Sequence, residues 1–255
     1  MKIALTSRDI VAIGLCSALY AVFGILTGGF TFFGIGFLPA VIIPAIFAAL
    51  YGSWVGGVSG AIGIFVRDVY VHGNPLLSLV AGVPANFILF FLIGYIYTKN
   101  ISLKQTLTIA SITITGLLIA SIVLLSDIEI YTGLSFNMFL LAFILTIIVS
   151  LAAVIVISIR WKEWRSYALG AIVGQIAGGL LLSVTVWLVS PLFLGHFATP
   201  LSIIYVIPLF IWLIITELPF ILMAAPIIKI VQKVFPTIYY LNKASKGGIV
   251  DKKNS

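Results

Sequence analysis

Five polar side chains stand in apolar surroundings along this chain, and they are the groups that could do chemistry. Glu217 lies in the run WLIITELPFILM, Asn86 in VPANFILFF and Gln175 in AIVGQIAGG, while Arg67 and Asp68 adjoin one another in IFVRDVY. Together they offer carboxylate and amide acceptors, amide donors and one guanidinium fork. That inventory suits holding the polar edge of a small solute, and Glu217 could instead carry a proton. Asn86 and Gln175 could equally join helices by hydrogen bonds, and Arg67–Asp68 could be a partly neutralised interfacial pair. Enzymatic signatures are missing: there is no HExxH, no GxSxG and no GxxxxGK[ST]. No catalysis is expected, and any ATP dependence would come from a partner. His72 and His196 have no clustered carboxylates, and Cys16 is the one cysteine. Neither a metal site nor an internal disulfide is expected.

The elements that must position these groups follow from composition. Only 8% of residues are charged against 62% hydrophobic, and the mean hydropathy is +1.27. A soluble domain needs roughly a quarter of its residues charged, so the suitable solvent is a bilayer. Continuous apolar runs such as 139–159 exclude the alternation of a β-barrel, and the expected fold is all-α membrane. Polar breaks divide residues 1–236 into eight spans at 8–27, 35–51, 53–71, 76–98, 106–125, 136–159, 167–192 and 203–230. Tyr51-Gly52-Ser53 reads as a tight turn, and Pro39 and Pro44 shorten the helix before it. With both termini inside, all of the 14 Lys and Arg except Arg67 fall on the cytoplasmic side, as the positive-inside bias requires. Merging spans two and three would invert everything downstream and destroy that asymmetry. Asp127 and Glu129 then lie outside in a loop without a basic residue. The net charge of +7 is a topology signal, and no nucleic-acid partner is implied. The tail 237–255 is expected to be disordered, a solvated flank that could touch anionic lipid headgroups in the membrane.

Two further patterns bear on organisation. Gly52, Gly56 and Gly60 are echoed by Gly170, Gly174 and Gly178, each set followed by a proline and an aromatic-aliphatic run. A parallel internal repeat would produce this, and so would small-residue stripes that let any membrane helices approach. The loop TGGFTFFGIG, with its glycines and phenylalanines, reads as an apolar flap on the outer face. On the last span, Pro219 is expected to free a backbone carbonyl beside Glu217.

Several of these features together resemble a known family. They are the small-residue stripe on the first span, the Gly- and aromatic-rich outer loop, the hairpin FLPAVIIPAIFAALYGSWVGGVSGAIGIFVRDVY and the span PANFILFFLIGYIY. They resemble the substrate-binding (S) component of an energy-coupling-factor (ECF) vitamin transporter, best over residues 8–98 and again over 167–233. The resemblance implies a subunit of the cell membrane that captures a micronutrient from outside. It also implies a transmembrane scaffold subunit and two ATP-binding-cassette ATPases as partners, with ATP used by those ATPases and no cofactor in this chain. The family's small-xxx-small docking pattern maps onto Gly14 and Ala18, or onto Ser17 and Ala21. Residues 106–159 add about two spans to the usual six.

Substrate contacts are expected from Phe33, Arg67, Asp68, Asn86, Gln175, Trp187 and Glu217. Phe30, Phe32, Phe33, Tyr70 and Trp187 suit stacking on a flat ring, so the expected solute is a heteroaromatic vitamin or a precursor of one. The competing expectation is a stand-alone secondary transporter in which Glu217 couples transport to protons.

Overall fold

A computed structural model describes residues 5–28, 31–32, 35–36, 38–124, 136–193 and 206–234. Phe30, Phe33, Asp127, Glu129, His196 and the tail 237–255 lie outside them. Among the described residues eight helices run in sequence: α1 (Ser7–Thr27), α2 (Ile42–Tyr51), α3 (Ser53–His72), α4 (Pro75–Tyr97), α5 (Leu103–Leu124), α6 (Phe136–Arg160), α7 (Arg165–Phe193) and α8 (Val206–Val234). This is an all-α membrane architecture: six of these helices are long and apolar enough to cross a bilayer. α5 has 22 residues, about 33 Å at 1.5 Å per residue.

Local chemistry accounts for the helix ends. α1 begins in a capping box, where Asp9 N donates to Thr6 Oγ1 (3.3 Å) and Thr6 N donates to Asp9 Oδ2 (3.0 Å). Span two, expected over 35–51, is the main departure from the sequence reading. Ile35–Gly36 instead pairs with Thr31–Phe32 as a short antiparallel ribbon. Helical structure starts only at the 3-10 turn Pro39–Val41, as the fixed φ of Pro39 favours. Pro39–Tyr51 is about 20 Å long, yet it returns to the depth at which α1 begins. The Arg8 guanidinium lies 5.5 Å from the Tyr51 ring centroid. There the chain reverses at Gly52, whose φ of 101° is open to glycine and costly for other residues.

The core forms around α4, which is gripped on both faces. On one side, a Cβ at Gly60 would run into the Phe90 ring, and one at Gly57 would stand 3.0 Å from Phe87. On the other, Cβ atoms at Gly170, Gly174 and Gly178 of α7 would stand 3.1, 2.6 and 2.8 Å from the carbonyl oxygens of Ile93, Leu89 and Ala85. Both glycine stripes therefore serve the same helix, because close backbone approach needs small residues on each side of it. In a four-and-four repeat the α7 stripe would face α8. That contact falls instead to Gly179, against Phe210 and Leu213.

α5 and α6 join the same core from the α8 side. Phe143, Ile147, Val154 and Ile157 are buried, and α6 lies chiefly against α8. α8 continues through Pro219 and Pro226 without a break. Packing on both flanks thus holds a helix that two missing N–H donors would otherwise weaken.

Candidate ligand-binding site

Arg67 and Asp68 end up inside the protein, with Arg67 only 3% exposed. α3 runs up beside the C-terminal half of α1, and two glycines there make room for the arginine. A Cβ at Gly24 would stand 3.1 Å from Arg67 Cγ, and one at Gly28 3.1 Å from Arg67 Nη2. Arg67 Nη1 donates to Asp68 Oδ1 at 2.8 Å. It also lies 3.2 Å from His72 Nε2, and since arginine only donates, His72 Nε2 must accept. Ser78 Oγ donates to the other carboxylate oxygen, Asp68 Oδ2, at 2.9 Å. Arg67 Nε and Nη2 are buried and have no hydrogen-bond partner among the described residues.

α4 opens with a device that brings Asp68 and Asn86 together. Pro84 has no N–H to give Val80, and its ring crowds that carbonyl. Residues Ser78–Gly82 accordingly widen into a π turn, closed by Val83 N donating to Ser78 O. Within it Gly82 lies so close to Asp68 that a Cβ would be 2.7 Å from Oδ2. One turn later Asn86 Nδ2 donates to Gly82 O at 3.0 Å. Its Oδ1 accepts from the Tyr20 hydroxyl of α1 at 2.8 Å.

A second buried polar pair comes from α7 and α8. Gln175 Nε2 donates to Glu217 Oε2 (2.9 Å) and to Leu213 O (3.1 Å). Gln175 Oε1 is buried without a partner among the described residues. Gln175 lies between Gly174 and Gly178, which press on Leu89 and Ala85 of α4, on either side of Asn86. The two polar groups therefore belong to one interior region, shared by α1, α3, α4, α7 and α8.

The structure thus gathers Arg67, Asp68, Asn86, Gln175 and Glu217, and leaves other expected residues elsewhere. Trp187 is half-buried on α7, about 18 Å along the axis from Gln175. Tyr70 is 74% exposed and turned away from the cluster. Phe33 lies outside the described residues. The two docking pairs part company: Ser17 and Ala21 are buried, with Ser17 Oγ donating to Ser59 O of α3 at 3.2 Å. Gly14 and Ala18 are exposed, and a Cβ at Gly14 would meet nothing within 4 Å. A separate apolar groove of about 400 Å³ between α1, α2 and α8 is lined by residues including Leu19, Phe23, Ile43 and Phe220.

Sequence reasoning missed Tyr20, Ser78 and Gly82, and it weighed His72 only as a metal ligand. Two signals were available. Tyr20 follows Ser17 by three and precedes Ala21 by one, so it shares the packed face of α1. Pro84 pointed to disturbed hydrogen bonding one turn earlier, at Val80.

The sequence matches the family described as ECF-type riboflavin transporter, S component, over residues 4–165. No curated protein and no solved structure matches it.

Proposed function

The chain belongs to the ECF-type riboflavin transporter S-component family, and from that premise we propose that its ligand is riboflavin. Membership makes it a multi-pass membrane protein and the substrate-binding subunit of a vitamin transporter, a non-enzymatic role. The observation that carries the riboflavin reading is the set of buried polar atoms left without protein partners. Arg67 Nε and Nη2 are donors, and Gln175 Oε1 is an acceptor. Buried polar groups are nearly always hydrogen-bonded, and a charged guanidinium costs most to leave unanswered, so the Arg67 edge with Gln175 Oε1 calls for a ligand. The isoalloxazine ring offers carbonyl and ring-nitrogen acceptors and one imide N–H donor, the kinds of atom that set lacks.

Flavin fluorescence supplies the test. Titrating riboflavin with the detergent-purified chain should quench the emission and saturate at one ligand per protein, with no competition from thiamine or biotin. Thermal stabilisation by another vitamin and none by riboflavin would sink the proposal.

Transport in the cell membrane would then require an ECF scaffold subunit and two ABC-type ATPases. We place the docking surface on the exposed Gly14–Ala18 strip, flanked by Val11, Leu15 and Val22, which are each more than half exposed. Gly14→Trp should abolish co-purification with the scaffold while leaving quenching intact. Uptake by the chain alone, driven by a pH gradient and lost in Glu217→Gln, would establish the proton-coupled reading instead.

A further inference from the structure

Arg67 is an unusual way to bury a charge. Of its three nitrogens, Nη1 alone is answered by protein, through Asp68 Oδ1 and His72 Nε2. Nε and Nη2 form the side-on edge of the guanidinium, two parallel donors in one plane, and neither has a partner. The edge is buried without a hydrogen bond among the described residues. Gly28 and Gly24 stand where any Cβ would press on Nη2 or on the stem, and the bonds to Nη1 fix the plane from the far side. A fork held this way fits two adjacent acceptors and wastes a donor on a single carbonyl.

Resting on the riboflavin reading, we propose that Arg67 is a specificity-determining residue that reads an acceptor pair on the edge of the flavin ring. The pair is a carbonyl oxygen and the ring nitrogen next to it, O4 with N5 or O2 with N1. Both nitrogens are acceptors in the oxidised ring. In the neutral dihydro form they carry hydrogen, and a donor then meets a donor. Arg67 therefore selects oxidised flavin and rejects analogues in which the paired nitrogen is replaced by C–H.

The experiment compares riboflavin with 5-deazariboflavin and 1-deazariboflavin in competition binding to the full chain. One analogue should bind the wild type roughly tenfold more weakly or worse, the cost of leaving a buried donor unpaired. The analogue that suffers identifies the edge. Arg67→Lys retains the charge for Asp68 but has no fork, so riboflavin should weaken and the discrimination should collapse to within about twofold. Gly28→Ala leaves Arg67 in place but crowds Nη2, and should weaken riboflavin more than the sensitive analogue. Equal wild-type affinity for all three flavins overturns the proposal even if neither variant folds. Undiminished discrimination in Arg67→Lys also overturns it. A wild type that binds no riboflavin at all fails the parent reading instead.

Discussion

α3–α4 and α5–α6 are both hairpins of long helices, and they use their residues in opposite ways. The first buries Arg67, Asp68, Ser78 and Asn86: Asp68 accepts from Ser78 of α4 and Asn86 from Tyr20 of α1, while Arg67 is answered only along α3. Its glycines let backbones touch Phe87 and Phe90. The second buries Thr106, Ser150 and Ser158, and the hydroxyls of Ser150 and Ser158 have no partner among the described residues. Ile112, Leu141, Ile148 and Ile159 are all more than half exposed on its outer face. Span-length helices need little beyond apolar content, since each satisfies its own backbone. A site needs polar residues that answer one another across several helices. The comparison teaches that apolar length identifies a membrane protein, whereas buried polar pairing locates what it does.

The largest way to break that contrast is Arg67→Leu. It strands Asp68 as an unpaired buried charge, at a cost of about 3–5 kcal/mol, and should abolish riboflavin quenching. Thermal unfolding in detergent would show the loss, and a wild-type melting temperature would refute the contrast outright. Next comes packing. Gly60→Val forces a side chain into Phe90 and should cost about 1–3 kcal/mol. Gly116→Ala on α5 meets nothing within 4 Å and should stay within about 0.5 kcal/mol of wild type. Equal shifts in the two variants would mean that α5 is packed as tightly as α3.

Smaller effects sharpen the polar side. Asn86→Ala strands the buried Tyr20 hydroxyl and should cost about 1–3 kcal/mol. Ser150→Ala removes a hydroxyl that has no partner, so its unfolding temperature should hold or rise. Tyr20→Phe removes one interhelical bond, worth about 0.6 kcal/mol on average in membrane proteins. The least effect is expected from Ile148→Ala, whose side chain is 58% exposed on the lipid-facing side. Its melting curve and riboflavin affinity should both match wild type, and a loss of affinity would tie the second hairpin to the site.

Much of this was readable beforehand at the level of residues. Glu217, Asn86, Gln175, Arg67 and Asp68 were conspicuous because charge and amide groups inside apolar runs are expensive, and the folded chain gathers all five. Their partners were not conspicuous. A tyrosine, a serine and a glycine carbonyl cost little in a membrane helix, so Tyr20, Ser78 and Gly82 gave no compositional alarm. The glycine echo, open between a repeat and plain close packing, proved to be close packing on one shared helix. Spacing along a helix reveals a face suited to close approach, but it does not name the helix that approaches.

By itself the sequence determined the solvent, the helical class and the identity of the costly residues. Each of those depends on transfer of side chains and backbone between water and hydrocarbon, which is local to a segment. Only the tertiary structure decided that α3 and α7 clasp the same helix, that Gly14 and Ala18 face outward while Ser17 and Ala21 do not, and that one edge of Arg67 is unanswered. Those outcomes depend on which helices meet and at what rotation. Short-range packing among distant segments sets both, and no single stretch of sequence contains it.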